Sequence, residues 1–116
     1  MKFIDEDINN YQYMYIISND KGYIKVGISK NPKRRLKQLQ TGNQNKLTLL
    51  FTEEFECERN HLLKIEKLVH KDLKSFKSDS VGEWFKINAS DLNKVKNIIT
   101  WNRIRYDSDP LAFKFK

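Results

Sequence analysis

The hydrophobic and polar positions alternate first with a strand's period and later with a helix's. Tyr11 to Ser18 (YQYMYIIS) is aromatic and β-branched and predicts a strand. Asn19-Asp20-Lys21-Gly22 is a polar run closed by glycine, the composition of a hairpin connection, and Tyr23 to Ile28 (YIKVGI) predicts its antiparallel partner. Ser29 to Thr41 reads as a helix. Ser29 or Asn31 can cap it, Pro32 suits the first turn, and Thr41-Gly42 stops it. Leu36 and Leu39 are its apolar anchors among many cations. Leu47 to Phe55 predicts a third strand.

From Glu58 to Phe76 the period changes. Leu62, Ile65, Val69, Leu73 and Phe76 recur at spacings of three and four and form one apolar helix face. Val81 to Ile87 reads as a short turn and strand. A last helix is expected from a Ser90 cap, with Leu92, Val95, Ile98, Ile99 and Trp101 facing inward. The pattern predicts an α+β domain, a small three-stranded antiparallel sheet flanked by helices. Residues 1–12 are expected as a lead-in, 13–101 as the domain and 102–116 as a tail.

Composition narrows the function classes. The chain has 116 residues, enough for one modest core, with 39% hydrophobic and 32% charged residues. Twenty-two Lys and Arg against 15 Asp and Glu give a formal charge of +7. Such a surplus attracts polyanions, with nucleic acid the commonest and anionic membrane next. Membrane binding is disfavoured, because no basic amphipathic helix carries bulky apolar insertion residues and no apolar run approaches the roughly 18 residues of a span. Cys57 is the single cysteine, so disulfides and cysteine-rich zinc sites within the chain are excluded, in keeping with an intracellular, cytoplasmic setting. Met1 to Asn10 carries four charged residues and is not expected to be a secretory signal.

Three features bear on chemistry. On the long helix Glu66 lies one turn from Leu62 and from His70, at the border of the apolar stripe. A carboxylate there needs a cationic partner, such as Lys67 or Lys71, or a hard divalent cation such as magnesium. On the basic helix Arg34 and Arg35 diverge by about 100°. Arg35, four residues before Leu39, is the better inward candidate for a phosphate clamp. On the hairpin Tyr13, Tyr15 and Ile17 share one face of the first strand, and Tyr23, Lys25 and Gly27 one face of the second. If these faces coincide, phenols and an amine gather beside a glycine that admits close approach.

In this order the residues resemble the GIY-YIG nuclease superfamily. Tyr13-Met14-Tyr15 and Lys25-Val26-Gly27 stand for the two signatures, Asn31-Pro32-Lys33-Arg34-Arg35-Leu36 for the basic helix, Glu66 for the metal-binding glutamate, and Gly82-Glu83-Trp84-Phe85 follows. The form with Lys25, together with Glu66-x-x-x-His70, is similar to a branch found in phage, bacterial and viral proteins. The sequence departs from the family where Tyr13 replaces the first glycine, Lys25 the second tyrosine, and Leu39 a histidine. Asn88 stands nearest to the late asparagine.

The resemblance implies a metal-dependent endonuclease that hydrolyses DNA phosphodiester bonds with one Mg2+ or Mn2+ held by Glu66. It further implies that Arg35 stabilises the pentavalent phosphate, that Tyr15 or Lys25 activates water, and that His70 assists the leaving group or orients Glu66. Tyr13, Tyr23, Ser29, Lys30, Lys33, Arg34 and Lys37 are expected to contact DNA, and Glu83 to be structural beside Trp84 and Phe85. The alternative is a non-catalytic module on the same fold, gripping DNA or a host protein. Targeting of cleavage would rest on a protein partner or self-association, in the host cytoplasm if the chain is phage-encoded.

Overall fold

Asn19 begins the first turn. Its Oδ1 accepts from the backbone N–H of Lys21 (2.8 Å) and Tyr23 (3.0 Å), and Gly22 takes φ +87°, the left-handed region a side chain resists. The turn joins β1 (Tyr11–Asn19) to β2 (Tyr23–Ser29) in this computed structural model, which describes residues 11–77 and 80–109. The hairpin register sets Tyr13 against Ser29, Tyr15 against Gly27 and Ile17 against Lys25, so the two faces do coincide.

Helix α1 (Pro32–Thr41) follows. It begins at Pro32 rather than Ser29, because Asn31 is the cap and accepts from the Arg34 N–H at 3.1 Å. Ser29 Oγ accepts from the Asn31 N–H instead. Strand β3 (Leu47–Glu56) pairs antiparallel with β1 on its other edge, with a register shift between Ile16 and Ile17. Helix α2 spans Arg59–Asp72, and the expected continuation to Phe76 is a separate 3-10 turn, Lys74–Phe76.

The sheet has five strands, where three were expected. Strands β4 (Ser80–Val81) and β5 (Trp84–Lys86) form a tight hairpin that adds to β2, giving the antiparallel order β3-β1-β2-β5-β4. A 3-10 turn over Ala89–Asp91 leads into α3 (Leu92–Ser108). Asp91 holds the cap position that had been expected for Ser90, and it makes no side-chain cap bond.

Both faces of the sheet are covered. Tyr15, Ile17 and Leu47 pack with Leu36 and Leu39 of α1 and with Trp84. On the opposite face Met14, Ile16, Ile24, Val26 and Phe55 pack with Leu62, Ile65, Val69 and Leu73, and with Val95, Ile99 and Tyr106 of α3. Trp101, expected to face inward, is 60% exposed. The buried stripe of α3 runs instead through Val95, Ile99, Asn102 and Tyr106. Residues 102–108, expected as the start of a tail, are therefore helix. Arg103 Nε and Thr100 Oγ1 donate to the Glu53 carboxylate of β3 at 2.7 and 2.8 Å, and Arg103 also reaches Asp107 at 3.0 Å. These bonds hold Arg103 more firmly protonated, with that to Glu53 foremost. Tyr11 and Gln12, assigned to the lead-in, already belong to β1. The rest of that lead-in, and residues 110–116 of the expected tail, lie outside the described residues. Among the described residues no helix is long and apolar enough to cross a membrane.

Candidate functional site

Strand β5 pairs with β2 only at Tyr23 and Ile24. Past that point the chain turns at Gly82 (φ +62°) and Glu83, and among the described residues Lys25 to Ser29 have a strand partner only in β1. This half-open edge floors a cleft of about 830 Å³. Helix α1 contributes Arg35 from one side, and α2 contributes Arg59, Leu63, Glu66 and His70 from the other. Lys77 and Glu83 close the far end.

Tyr15 and Gly27 meet closely in the cleft. A Cβ at position 27 would stand 2.5 Å from the Tyr15 hydroxyl oxygen and 2.7 Å from Cζ, so glycine is required for the ring to cross β2. The ring is 2% exposed, yet Tyr15 still lines the cleft.

Lys25, on the same face as Gly27, is buried and donates to Glu83 Oε1. Its side chain is 9% exposed and that of Glu83 79%, so the carboxylate caps the amine from the solvent side. The hydrogen bond from Lys25, and then its charge, hold the Glu83 carboxyl below the usual carboxylate range; burial opposes this, and His70 and Arg35 add to it.

His70 is fixed at both ring nitrogens. Lys77 Nζ lies 2.6 Å from Nδ1, and the Val26 carbonyl oxygen lies 3.1 Å from Nε2. Lysine has only donors and a carbonyl only accepts, so the ring proton sits on Nε2 and is donated to the open edge of β2. Glu66 Oε2 lies 3.7 Å from the same nitrogen. Burial pushes the Lys77 pKa down, against the pull of Glu66 and Glu83. Arg35 Nη1 donates to Gln38 Oε1 at 3.4 Å, and Arg35 is more sheltered than its neighbour Arg34.

Tyr15, Lys25, Arg35, Glu66 and His70, selected from the sequence for chemistry, thus come together in one cleft. The residues selected for DNA contact divide. Ser29 and Lys30 line the same cleft, Tyr13 and Lys33 line a neighbouring pocket with Lys30, and Tyr23 lines another. Arg34 and Lys37 are exposed on α1 and line none of the three. Sequence reasoning missed Arg59, Lys77 and the place of Glu83 in the cleft. Glu83 stood in a motif that had been singled out, but its partner is 58 residues away.

Residues 11–102 match a known domain family. The chain belongs to the T5orf172 domain family. That domain is phage-associated, related to nuclease-like folds and loosely associated with endonuclease-like activity. No curated protein and no solved structure matches the chain.

Five cationic side chains line the cleft of this T5orf172 domain (Lys25, Lys30, Arg35, Arg59, Lys77), against two carboxylates, Glu66 and Glu83. Among the described residues no three His, Cys, Asp or Glu side chains converge as a metal cage. One divalent ion of the magnesium type needs less. It keeps several waters and takes one or two carboxylates together with phosphate oxygens. Glu66 is half-buried, faces the cleft and offers hard oxygen, while the nitrogens of its neighbour His70 are engaged elsewhere. The donor set fits such an ion.

Proposed function

We propose that this cleft is the active centre of a metal-dependent endonuclease of GIY-YIG type that hydrolyses DNA phosphodiester bonds. The observation that carries the reading is the convergence of Tyr15, Lys25, Arg35 and Glu66, from β1, β2, α1 and α2, on one cleft rich in cations. Phosphates of DNA enter against Arg35, Lys30 and Arg59, whose charges hold the backbone without reading sequence. Glu66 would hold Mg2+ or Mn2+, which when bound supplies charge stabilisation on the phosphate and the leaving oxygen.

The remaining work belongs to the side chains. Tyr15, locked against Gly27, orients the attacking water, whose proton passes to solvent. Lys25 lies on the same face, two residues from the register partner of Tyr15, and, paired with the Glu83 carboxylate, stands beside the phosphate as a fixed cation rather than as the base. The water oxygen bonds to phosphorus, the bond from phosphorus to the leaving oxygen breaks, and that oxygen takes a proton from solvent. Arg35 places charge where the pentavalent phosphate develops it. His70 positions: its Nε2–H is committed to Val26, and it keeps the α2 turn bearing Glu66 against the β2 edge. The setting is cytoplasmic, and targeting rests on self-association or a protein partner.

The test is supercoiled plasmid incubated with and without Mg2+ or Mn2+, beside Glu66→Gln and Arg35→Ala. Nicking should require the metal, vanish in Glu66→Gln while DNA binding persists, and fall by roughly 100-fold or more in Arg35→Ala. Binding with no cleavage of plasmid, single strands or branched DNA would turn the reading to a non-catalytic binding module.

A further inference from the structure

A second pocket, of about 310 Å³, opens on the α1 face of the sheet. Tyr23 and Trp84, both half-buried, supply two aromatic walls, and Asn19, Asn43, Asn45 and Lys21 complete the lining. Among the described residues no carboxylate lines it.

The amides are fixed in direction. Asn19 Oδ1 accepts from the N–H groups of Lys21 and Tyr23, and Asn43 Oδ1 accepts from the Asn45 N–H at 2.9 Å. With these oxygens committed, Asn19 and Asn43 have their Nδ2 donors left for a ligand. The Asn45 side chain makes no hydrogen bond among the described residues, so both ends of its amide are available.

The loop that carries Asn43 and Asn45 is built. Gln40 Nε2 donates to the carbonyls of Asn43 (3.3 Å) and Asn45 (2.9 Å), and Gln40 Oε1 accepts from the Leu47 N–H at 2.8 Å. One glutamine thus pins the loop in place beneath the pocket.

We propose that this pocket takes an unpaired nucleobase of single-stranded nucleic acid. Aromatic walls offer π faces on which any base can stack. Oriented amide donors match the carbonyl oxygens and ring nitrogens at a base edge, and a free Asn amide can meet a donor–acceptor pair. Lys21 supplies charge for the attached phosphate. The pocket also stands next to the cleft. Tyr23 precedes Lys25 by two residues on one strand face, roughly 7 Å along the strand, and Trp84 directly follows Glu83. A base seated here belongs to a nucleotide close to the phosphate in the cleft. A base stacked within a duplex presents no free face, so the pocket selects single strands, gaps or frayed ends. The inference rests on the nucleic-acid reading above and adds to it the form of the substrate.

Trp84 and Trp101 are the two tryptophans, and Trp101 lines neither the cleft nor this pocket. Trp101→Phe therefore leaves Trp84 as a single fluorescent reporter. The protein is titrated with short oligothymidylate and oligodeoxyadenylate in chelator, with anisotropy of a labelled strand read in parallel. Saturable quenching of Trp84 is expected with single strands and weaker quenching with the matching duplex. An abasic strand of equal length should bind without quenching. Tyr23→Leu should weaken single-strand binding by about tenfold and leave duplex binding within about twofold. Asn45→Ala, which removes no hydrogen bond of the fold, should also weaken it. Single-strand binding with unchanged Trp84 emission, and with both variants equal to their parent, overturns the base pocket and leaves the nucleic-acid reading intact. No binding of any nucleic acid overturns both.

Discussion

The hydroxyl of Tyr15 lies over the α-carbon of Gly27, its register partner on the neighbouring strand, closely enough that a methyl group cannot be interposed. Gly27→Ala should therefore displace the ring or part the strands, at a cost of about 1–3 kcal/mol, the range for overpacking a filled site. The cost should shrink in a Tyr15→Ala background, where the space is vacant. Thermal unfolding of the four proteins in this cycle decides it. Equal costs in both backgrounds would mean that the ring is not what excludes a side chain at 27.

Glu83 and Lys25 make a prediction about pH. The Glu83 carboxyl is held below its ordinary range by the lysine, so the folded state binds its proton less readily than the unfolded chain. The contribution of the pair is present above the ordinary carboxylate pKa and is lost as pH falls through the lowered, folded one. Carboxyl NMR titration should place Glu83 lower in the wild type than in Lys25→Met; coincident curves would refute the pairing. Glu83→Gln removes a negative charge from the cleft and should tighten DNA binding severalfold at low salt.

Much of this arrangement was legible because it is local. Leu62, Ile65, Val69 and Leu73 are buried as their spacing predicted, since a helix lying on a sheet hides one stripe. Asn31 and Pro32 marked the start of α1 by chemistry that needs no tertiary partner. Strand alternation put Tyr15 and Tyr13 on one face of β1 and Lys25 and Gly27 on one face of β2; the hairpin register, left open by the sequence, makes those faces coincide. Three features were not legible. The turn and strand expected over Val81 to Ile87 are present as Gly82 and β5, but strands of two and three residues carry no period, so the pairing of β4 with β5 and the edge they join could not be read. On α3 Leu92, Val95, Ile98 and Ile99 reach the core as expected, but the apolar Trp101 and Ile104 are exposed while the polar Asn102 is buried, so spacing pointed Trp101 the wrong way. The partner of Glu83 depends on where that hairpin lands.

His70 should behave as a positioning residue. His70→Ala leaves the Val26 carbonyl without its donor and Lys77 without its acceptor, at an expected cost of about 1–3 kcal/mol. Plasmid nicking should fall with stability, and His70→Gln, which retains a donor, should recover part of both. Unchanged melting together with abolished nicking would make His70 a participant in the chemistry.

The end of α3 should matter to folding. Arg103→Ala strips Glu53 of its charged donor and should cost about 1.5–3 kcal/mol in urea unfolding. Ending the chain after Trp101 also removes the buried Asn102 and Tyr106 and should cost more. Wild-type stability in the shortened chain would show that residues beyond 101 are dispensable.

Between Met14 and Ile17, β1 is paired along both edges and buried on both faces. Its amide hydrogens should exchange with solvent only when the whole molecule opens, whereas the exposed Gly82–Glu83 turn between β4 and β5 can open by itself while Phe85 stays in the core. The cleft thus joins the slowest-opening part of the sheet to the fastest. Tyr15 stays fixed for as long as the domain is folded, while the Glu83 cap over Lys25 is made and broken many times in that interval. The rate at which a polyanion gains access to Lys25 is then set by the lifetime of one exposed turn, and stabilising the core would leave it unchanged.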